Sequence, residues 1–280
     1  MLFAVVEMRA RHAMLDFALF RKPAFCGVSL ATFALGAGMF SQLVFLALYL
    51  QDVLGYSPLA GGLRVLPLTA LVFLVPLLSR RIAVHVPPRF VLGAGLALVA
   101  LGLALMHGIG PRSGWTALLP GLILAGVGIG LANPPIASIA LGVVAPTRTG
   151  MASGVSNTCR LGGLATGIAA LGAIFTHRIH SELALRLPHA ADNLAALVAA
   201  GGVHAAAAAA PAASRAQTIA AARLAFIAAF NEILLVGAAI TLAGAICAVV
   251  LIRARDFEHA EARGAGSEPA REREPSGAAA

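Results

Sequence analysis

The chain has 280 residues, 59% of them hydrophobic and only 11% charged, with a mean hydropathy of +0.89. A soluble domain carries about a quarter charged residues, so this composition excludes that class and points to a chain immersed in lipid. The net charge of +8 does not imply nucleic acid, because the basic residues are spread between apolar stretches and are not clustered with aromatics.

In chain order, residues 1–22 read as a cytoplasmic lead-in from a preceding helix. MLFAVVEMRA is apolar and ends in charge, with neither the basic start nor the cleavage site of a signal peptide. A bilayer core of about 30 Å needs roughly 20 apolar helical residues. Six spans are predicted on that basis, at about 23–51, 59–79, 90–111, 115–144, 150–175 and 233–252. The fold class expected is an all-α integral membrane bundle of six helices. Between the last two spans, residues 177–222 are rich in alanine with scattered charge, and short surface helices or disorder are expected there. The tail 253–280 mixes both charge signs with Gly, Pro and Ser and is expected to be disordered and cytoplasmic.

Orientation follows from the flanking basic residues. One side collects Arg9, Arg11, Arg21, Lys22, Arg80, Arg81, Arg89, Arg148 and the five arginines of the tail; the other collects Arg64, Arg112, Arg178, Arg186, Arg215 and Arg223. This split predicts both termini in the cytoplasm and the 177–222 connection in the periplasm of a bacterial inner membrane.

One basic residue belongs to neither side. Arg160 stands near the middle of GMASGVSNTCRLGGLATGIAALGAIF (150–175), about 15 Å into the span at 1.5 Å per residue. Facing lipid it would cost at least about 3 kcal/mol. At 100° per residue it shares an arc of about 120° with Ser153, Ser156, Asn157, Gly163 and Gly167, so this face is expected to meet other helices or a wet cavity. Two roles fit: lining or gating a substrate cavity with Asn157, Ser153 and Asn133, or tying two spans together through helix carbonyls. Its neighbours on the arc are too small to satisfy a guanidinium, so partners are expected from other spans, such as carbonyls freed near Pro134 and Pro135, or from cavity water.

In the fourth span, Gly126 and Gly130 form a GxxxG that favours close helix approach, as do Gly163 and Gly167 in the fifth. Pro134 and Pro135 remove two backbone donors, which predicts a kink or a break. No carboxylate falls at mid-membrane: Asp52 and Glu232 are assigned to the outer ends of the first and last spans, Glu232 as an interfacial cap. Cys26, Cys159 and Cys247 lie in separate spans without metal spacing. His177 and His180 are two ligands without a third. No nucleophile, nucleotide or zinc motif occurs, so no enzyme activity, metal or cofactor is expected.

The run YLQDVLGYSPLAGGLRVLP (49–67) resembles the turn between the first two helices of the C-terminal half in the fourteen-helix drug:proton antiporters of the major facilitator superfamily. LLPGLILAGVGIGLANPPI and PTRTGMASGVSNTCRLGG look like the fourth and fifth helices of that half, and RHAMLDFALFRKPAF like its lead-in. On this resemblance Gly55, Pro58, Gly62, Arg64 and Pro67 match the outer-turn motif, and Asn157, Arg160 and Gly163 the fifth-helix motif. The inner loop SRRIAVHVPPR echoes the Gly-Asp-Arg loop of the family without its acid. The resemblance implies a 3+3 inverted repeat facing a missing N-terminal half, and export of small amphipathic compounds by alternating access on a proton gradient. It leaves open a truncated or split half that transports nothing alone, or a six-helix scaffold or subunit.

Overall fold

The structure, a computed structural model, describes residues 23–83, 86–142, 149–187, 191–203, 205, 208 and 214–252. The lead-in, the tail, His85 and Arg148 lie outside the described residues. Seven helices are described: α1 (Pro23–Val53), α2 (Pro58–Ala83), α3 (Pro88–Met106), α4 (Leu119–Gly142), α5 (Thr149–Arg186), α6 (Ala191–Ala199) and α7 (Arg215–Leu251). All but α6 are long and apolar enough to cross a membrane.

Proline and glycine set several of the boundaries. Pro58 and Pro88 open α2 and α3, where the missing N–H has no helical partner to lose. Gly55, at φ 73°, turns the chain between α1 and α2, and Gly108, at φ 90°, carries it away from the end of α3. The chain after α3 is then held by α7. Asn231 Oδ1 accepts from the Gly108 and Ile109 amides at 3.0 and 3.1 Å, and its Nδ2 donates to the Ile109 carbonyl at 2.9 Å.

Lipid offers no hydrophobic drive between helices, so the bundle is closed by backbone approach. α3 and α4 meet at glycines seven apart on each helix. A Cβ on Gly95 would stand 2.8 Å from the Gly128 carbonyl oxygen, and one on Gly102 2.7 Å from that of Gly121. The predicted GxxxG serves another contact: Gly126 and Gly130 seat α4 on α2, at 2.7 Å from the Leu68 and 3.0 Å from the Leu71 carbonyl oxygens. On α5, Gly163 and Gly167 lie against the Phe33 and Ala37 carbonyls of α1. α1 accommodates this approach with two π-helical turns, Gly36–Phe40 and Tyr49–Val53; the first is built on Gly36 and Gly38, which themselves touch the α5 and α7 backbones. Farther along, Phe45, Phe175, Phe226, Tyr49 and Phe230 form an aromatic stack between α1, α5 and α7, with ring centroids 4.9–6.5 Å apart.

Several buried polar groups within the spans bond to nearby carbonyls. Thr32 donates to Val28 at 2.7 Å, Ser41 to Ala37, and Thr241 to Gly237 at 2.5 Å; Gln42 Nε2 crosses to the Ile233 carbonyl of α7.

Three expectations change. The 177–222 connection is mainly helical in its described residues: the short helix α6 is of the kind expected there, but α5 runs on to Arg186 and α7 begins at Arg215, not near 233. Its charges support that extension: Glu182 pairs with Arg178 at 3.1 Å and with Arg186 at 2.8 Å along α5, and Arg178 reaches Glu232 of α7 at 3.3 Å. Glu232 is therefore a mid-helix ion-pair partner and no cap. Of the kink or break expected at Pro134 and Pro135, the break is excluded, since α4 runs through both.

Candidate functional site

α4 and α5 flank a cavity of about 650 Å³ at the end of the bundle that carries the 143–148 connection. Asn133 and Ile136 come from α4, Thr32 from α1, and Ser153, Asn157 and Arg160 from α5. The four residues singled out in the sequence as cavity candidates, Arg160, Asn157, Asn133 and Ser153, thus share one wall. Thr32 and Ile136 went unread, since a single Thr in an apolar span and an Ile in an apolar helix carry no sequence signal.

Arg160 is exposed, and Nη2 donates to Asn157 Oδ1 one turn earlier at 2.7 Å. Among the described residues this is its hydrogen-bond partner. The expected partners from other spans, including carbonyls near Pro134 and Pro135, are not used; Ser138 Oγ instead donates to the Pro135 carbonyl at 3.1 Å. Arg160 therefore presents most of its five N–H donors to the cavity. Ser156 Oγ, buried beside it, has no hydrogen-bond partner among the described residues.

The arc drawn around Arg160 divides. Ala152, Val155, Gly163, Gly167, Leu171 and Phe175 are buried and face the bundle. Ser153, Asn157 and Arg160 are exposed beside them and face the cavity. A stripe repeating mainly every four residues drifts by about 40° per step, so it crosses an arc fixed at 100° per residue.

The outer-turn residues build a different feature. The Arg64 guanidinium lies 3.5 Å from the Tyr56 ring centroid and 5.6 Å from that of Trp115, and Nη1 donates to the Ala60 carbonyl at 2.7 Å. It clasps the α1–α2 turn to the approach to α4 by cation–π attraction. Gly55 turns the chain here and Pro58 opens α2, while Gly62 faces open space and Pro67 lies within α2. At the far end, His177 and His180 line a shallow depression between α5 and α6. No group of three metal-ligating side chains occurs there or elsewhere among the described residues.

Coverage of the helices is uneven. Only 11% of the apolar window of α2 and 22% of that of α5 is buried, against 44–67% for the other four. Leu59, Leu63, Phe73 and Leu77 stand exposed along α2. Six apolar helices, three of which contribute side chains to a polar cavity, define a polytopic membrane protein.

The chain belongs to the Major Facilitator Superfamily, whose family model matches residues 7–170. It is 31% identical over 192 residues to the multidrug resistance protein Stp of Mycobacterium tuberculosis, covering 69% of this chain and 36% of Stp. It is 29% identical over 253 residues to the multidrug efflux pump LfrA of Mycolicibacterium smegmatis, covering 90% of this chain and 50% of LfrA. The puromycin resistance protein pur8 of Streptomyces alboniger is 32% identical over 186 residues, covering 65% and 37%. The fold matches a crystal structure of a bacterial homologue of the human lysosomal transporter Spinster, in an inward-facing and unoccupied conformation. The TM-score is 0.65 at 18% identity, over 88% of this chain and 51% of that one. The protein is a membrane-spanning member of its superfamily, and it spans half or less of the length of these curated relatives.

Proposed function

We propose that this chain supplies one half of the substrate pathway of an efflux transporter that exports small amphipathic compounds by alternating access. The observation that carries the reading is the open wall in which Asn133, Ser153, Asn157 and Arg160 converge beside apolar Ile136. A pathway wall of that kind needs a facing partner, and the sparsely covered α2 and α5 offer the surface for an N-terminal half. Stp, LfrA and pur8 are named for drug resistance or efflux, which supports the substrate class.

Proton coupling, on this reading, resides in the partner half. A coupling site needs a carboxylate within the membrane. Between residues 23 and 252 the chain has only Asp52, Glu182, Asp192 and Glu232, none near the cavity. Reconstituted alone in liposomes, the chain is expected to give no pH-driven efflux of a panel of amphipathic dyes, and efflux is expected once an N-terminal half is co-reconstituted. Robust efflux by the chain alone that survives Glu232→Gln and Asp52→Asn would overturn the assignment.

We assign the chain to a bacterial plasma membrane with both termini cytoplasmic, a reading that its bacterial relatives and its flanking arginines support. Ser214, at the start of α7, then faces the periplasm. A Ser214→Cys variant should react with an impermeant thiol reagent in intact cells. Labelling only after lysis would invert the topology.

A further inference from the structure

We infer that the cavity selects amphiphiles carrying a negative charge, with Arg160 as the residue that determines this preference. The inference rests on the proposed transport reading and adds the charge class of the ligand.

Among the described residues the cavity wall carries one full charge, the Arg160 guanidinium, and its hydrogen bond goes to a neutral amide oxygen that cannot compensate it. The acids of residues 23–252 are all remote in the fold. Glu182 lies 22 residues beyond Arg160 on α5, about 33 Å along the helix at 1.5 Å per residue. Asp52 lies 20 residues beyond Thr32 on α1, about 30 Å by the same rise. Glu232 is paired with Arg178 at the far end of the bundle, and Asp192 belongs to α6, beyond Arg186. At such separations water and salt screen any attraction to Arg160.

The rest of the wall completes a ligand description. Arg160 offers a planar fork that matches the two oxygens of a carboxylate or sulfonate. Asn133 and Ser153 supply neutral hydrogen bonds beside it. Ile136, Ala137 and Ala140 supply the apolar surface for a hydrophobic body. A quaternary ammonium would meet the guanidinium as a like charge with no carboxylate in the wall to hold it. The charge class therefore separates this wall from one built to take organic cations.

The test uses three probes with a common naphthalene body: 1-naphthylacetate, its neutral methyl ester, and the (1-naphthylmethyl)trimethylammonium cation. Binding to the full chain in phosphatidylcholine nanodiscs is measured by equilibrium dialysis, with empty nanodiscs as the blank. The carboxylate is expected to bind about tenfold more tightly than the ester, and the cation more weakly than either. That preference should shrink between about 10 mM and about 1 M salt. Arg160→Gln should bring carboxylate and ester within about twofold, Arg160→Lys should keep part of the preference, and Arg112→Gln on the far-end loop should leave it intact. Adding phosphatidylglycerol to the nanodiscs tells the sources apart: displacement of the carboxylate identifies a lipid anion as a competing occupant, and no displacement identifies a soluble one, both within the anionic class. Equal binding of ester and carboxylate, or tighter binding of the cation, overturns the charge assignment while leaving an amphiphile site. No binding of any probe overturns the site itself. The salt series on the unaltered chain decides the matter even if Arg160→Gln fails to fold.

Discussion

Gly167→Val will lower the thermal midpoint and the membrane-fraction abundance of the chain sharply, whereas Gly162→Ala, five residues earlier on the same helix, will leave it intact or slightly more stable. Gly167 presses on the α1 backbone: a Cβ there would lie 2.6 Å from Ala37 Cα and 2.9 Å from Ser41 Oγ. The obstruction is main chain, so no rotamer change relieves it and α1 must part from α5. A penalty on the order of 3 kcal/mol is the usual scale for overpacking of this kind, and total stabilities are only about 5–15 kcal/mol. Gly162 has nothing within 4 Å of a Cβ, and replacing a helical glycine by alanine is favourable by up to about 1 kcal/mol. Membrane-fraction abundance and the thermal midpoint of the purified chain in detergent measure both. Equal midpoints for the two variants would mean that α1 and α5 do not pack through their backbones as described.

The membrane spans were legible because lipid leaves few solutions for an apolar stretch: every backbone group must be satisfied internally, so a charge-free run of about 20 residues has to be helical. That reasoning fails where the helices pass beyond the apolar runs. Residues 177–186 and 215–232 carry Arg178, Glu182, Arg186, Arg215, Arg223 and Glu232, and hydropathy alone reads such stretches as connection. Their helicity draws on pairing across elements, with Arg178 on Glu232 and Arg223 donating to the Val53 carbonyl of α1. Neither pairing has a signature in the local sequence.

The α3–α4 contact was legible in principle. Gly95 and Gly102, and Gly121 and Gly128, each recur at seven residues, a spacing that keeps one face toward one partner. The four-residue pair Gly126 and Gly130 drew attention instead, and it serves the α2 contact. The cavity was legible through its polar members, because Arg, Asn and Ser are costly in lipid and have to turn inward. Its apolar members were not, since Ile136 and Ala140 look like any lipid-facing residues of the same helix.

In the complete transporter, Arg160→Ala and Arg160→Lys will both reach the membrane in amounts within about twofold of the unaltered chain, yet export will fall by an order of magnitude or more. The first half follows from how little of this structure rests on the side chain. Arg160 is exposed, its hydrogen bond stays within one turn of α5, and the contacts joining α5 to α1 are made by Gly163, Gly167 and Phe175 on the neighbouring stripe. Removing the guanidinium leaves Asn157 facing an open cavity, where water replaces the lost donor. The second half follows from geometry. Lysine keeps the charge but loses the planar fork that can hold Asn157 with one nitrogen while presenting others to the cavity, so conserving charge alone should not restore export. Asn157→Ala should show a smaller loss, because it removes the orienting acceptor while keeping the guanidinium. The measurement is membrane-fraction abundance beside dye export, with the N-terminal half supplied. Abundance collapsing together with export would make Arg160 a structural tie between helices, and full export by Arg160→Ala would remove it from the pathway.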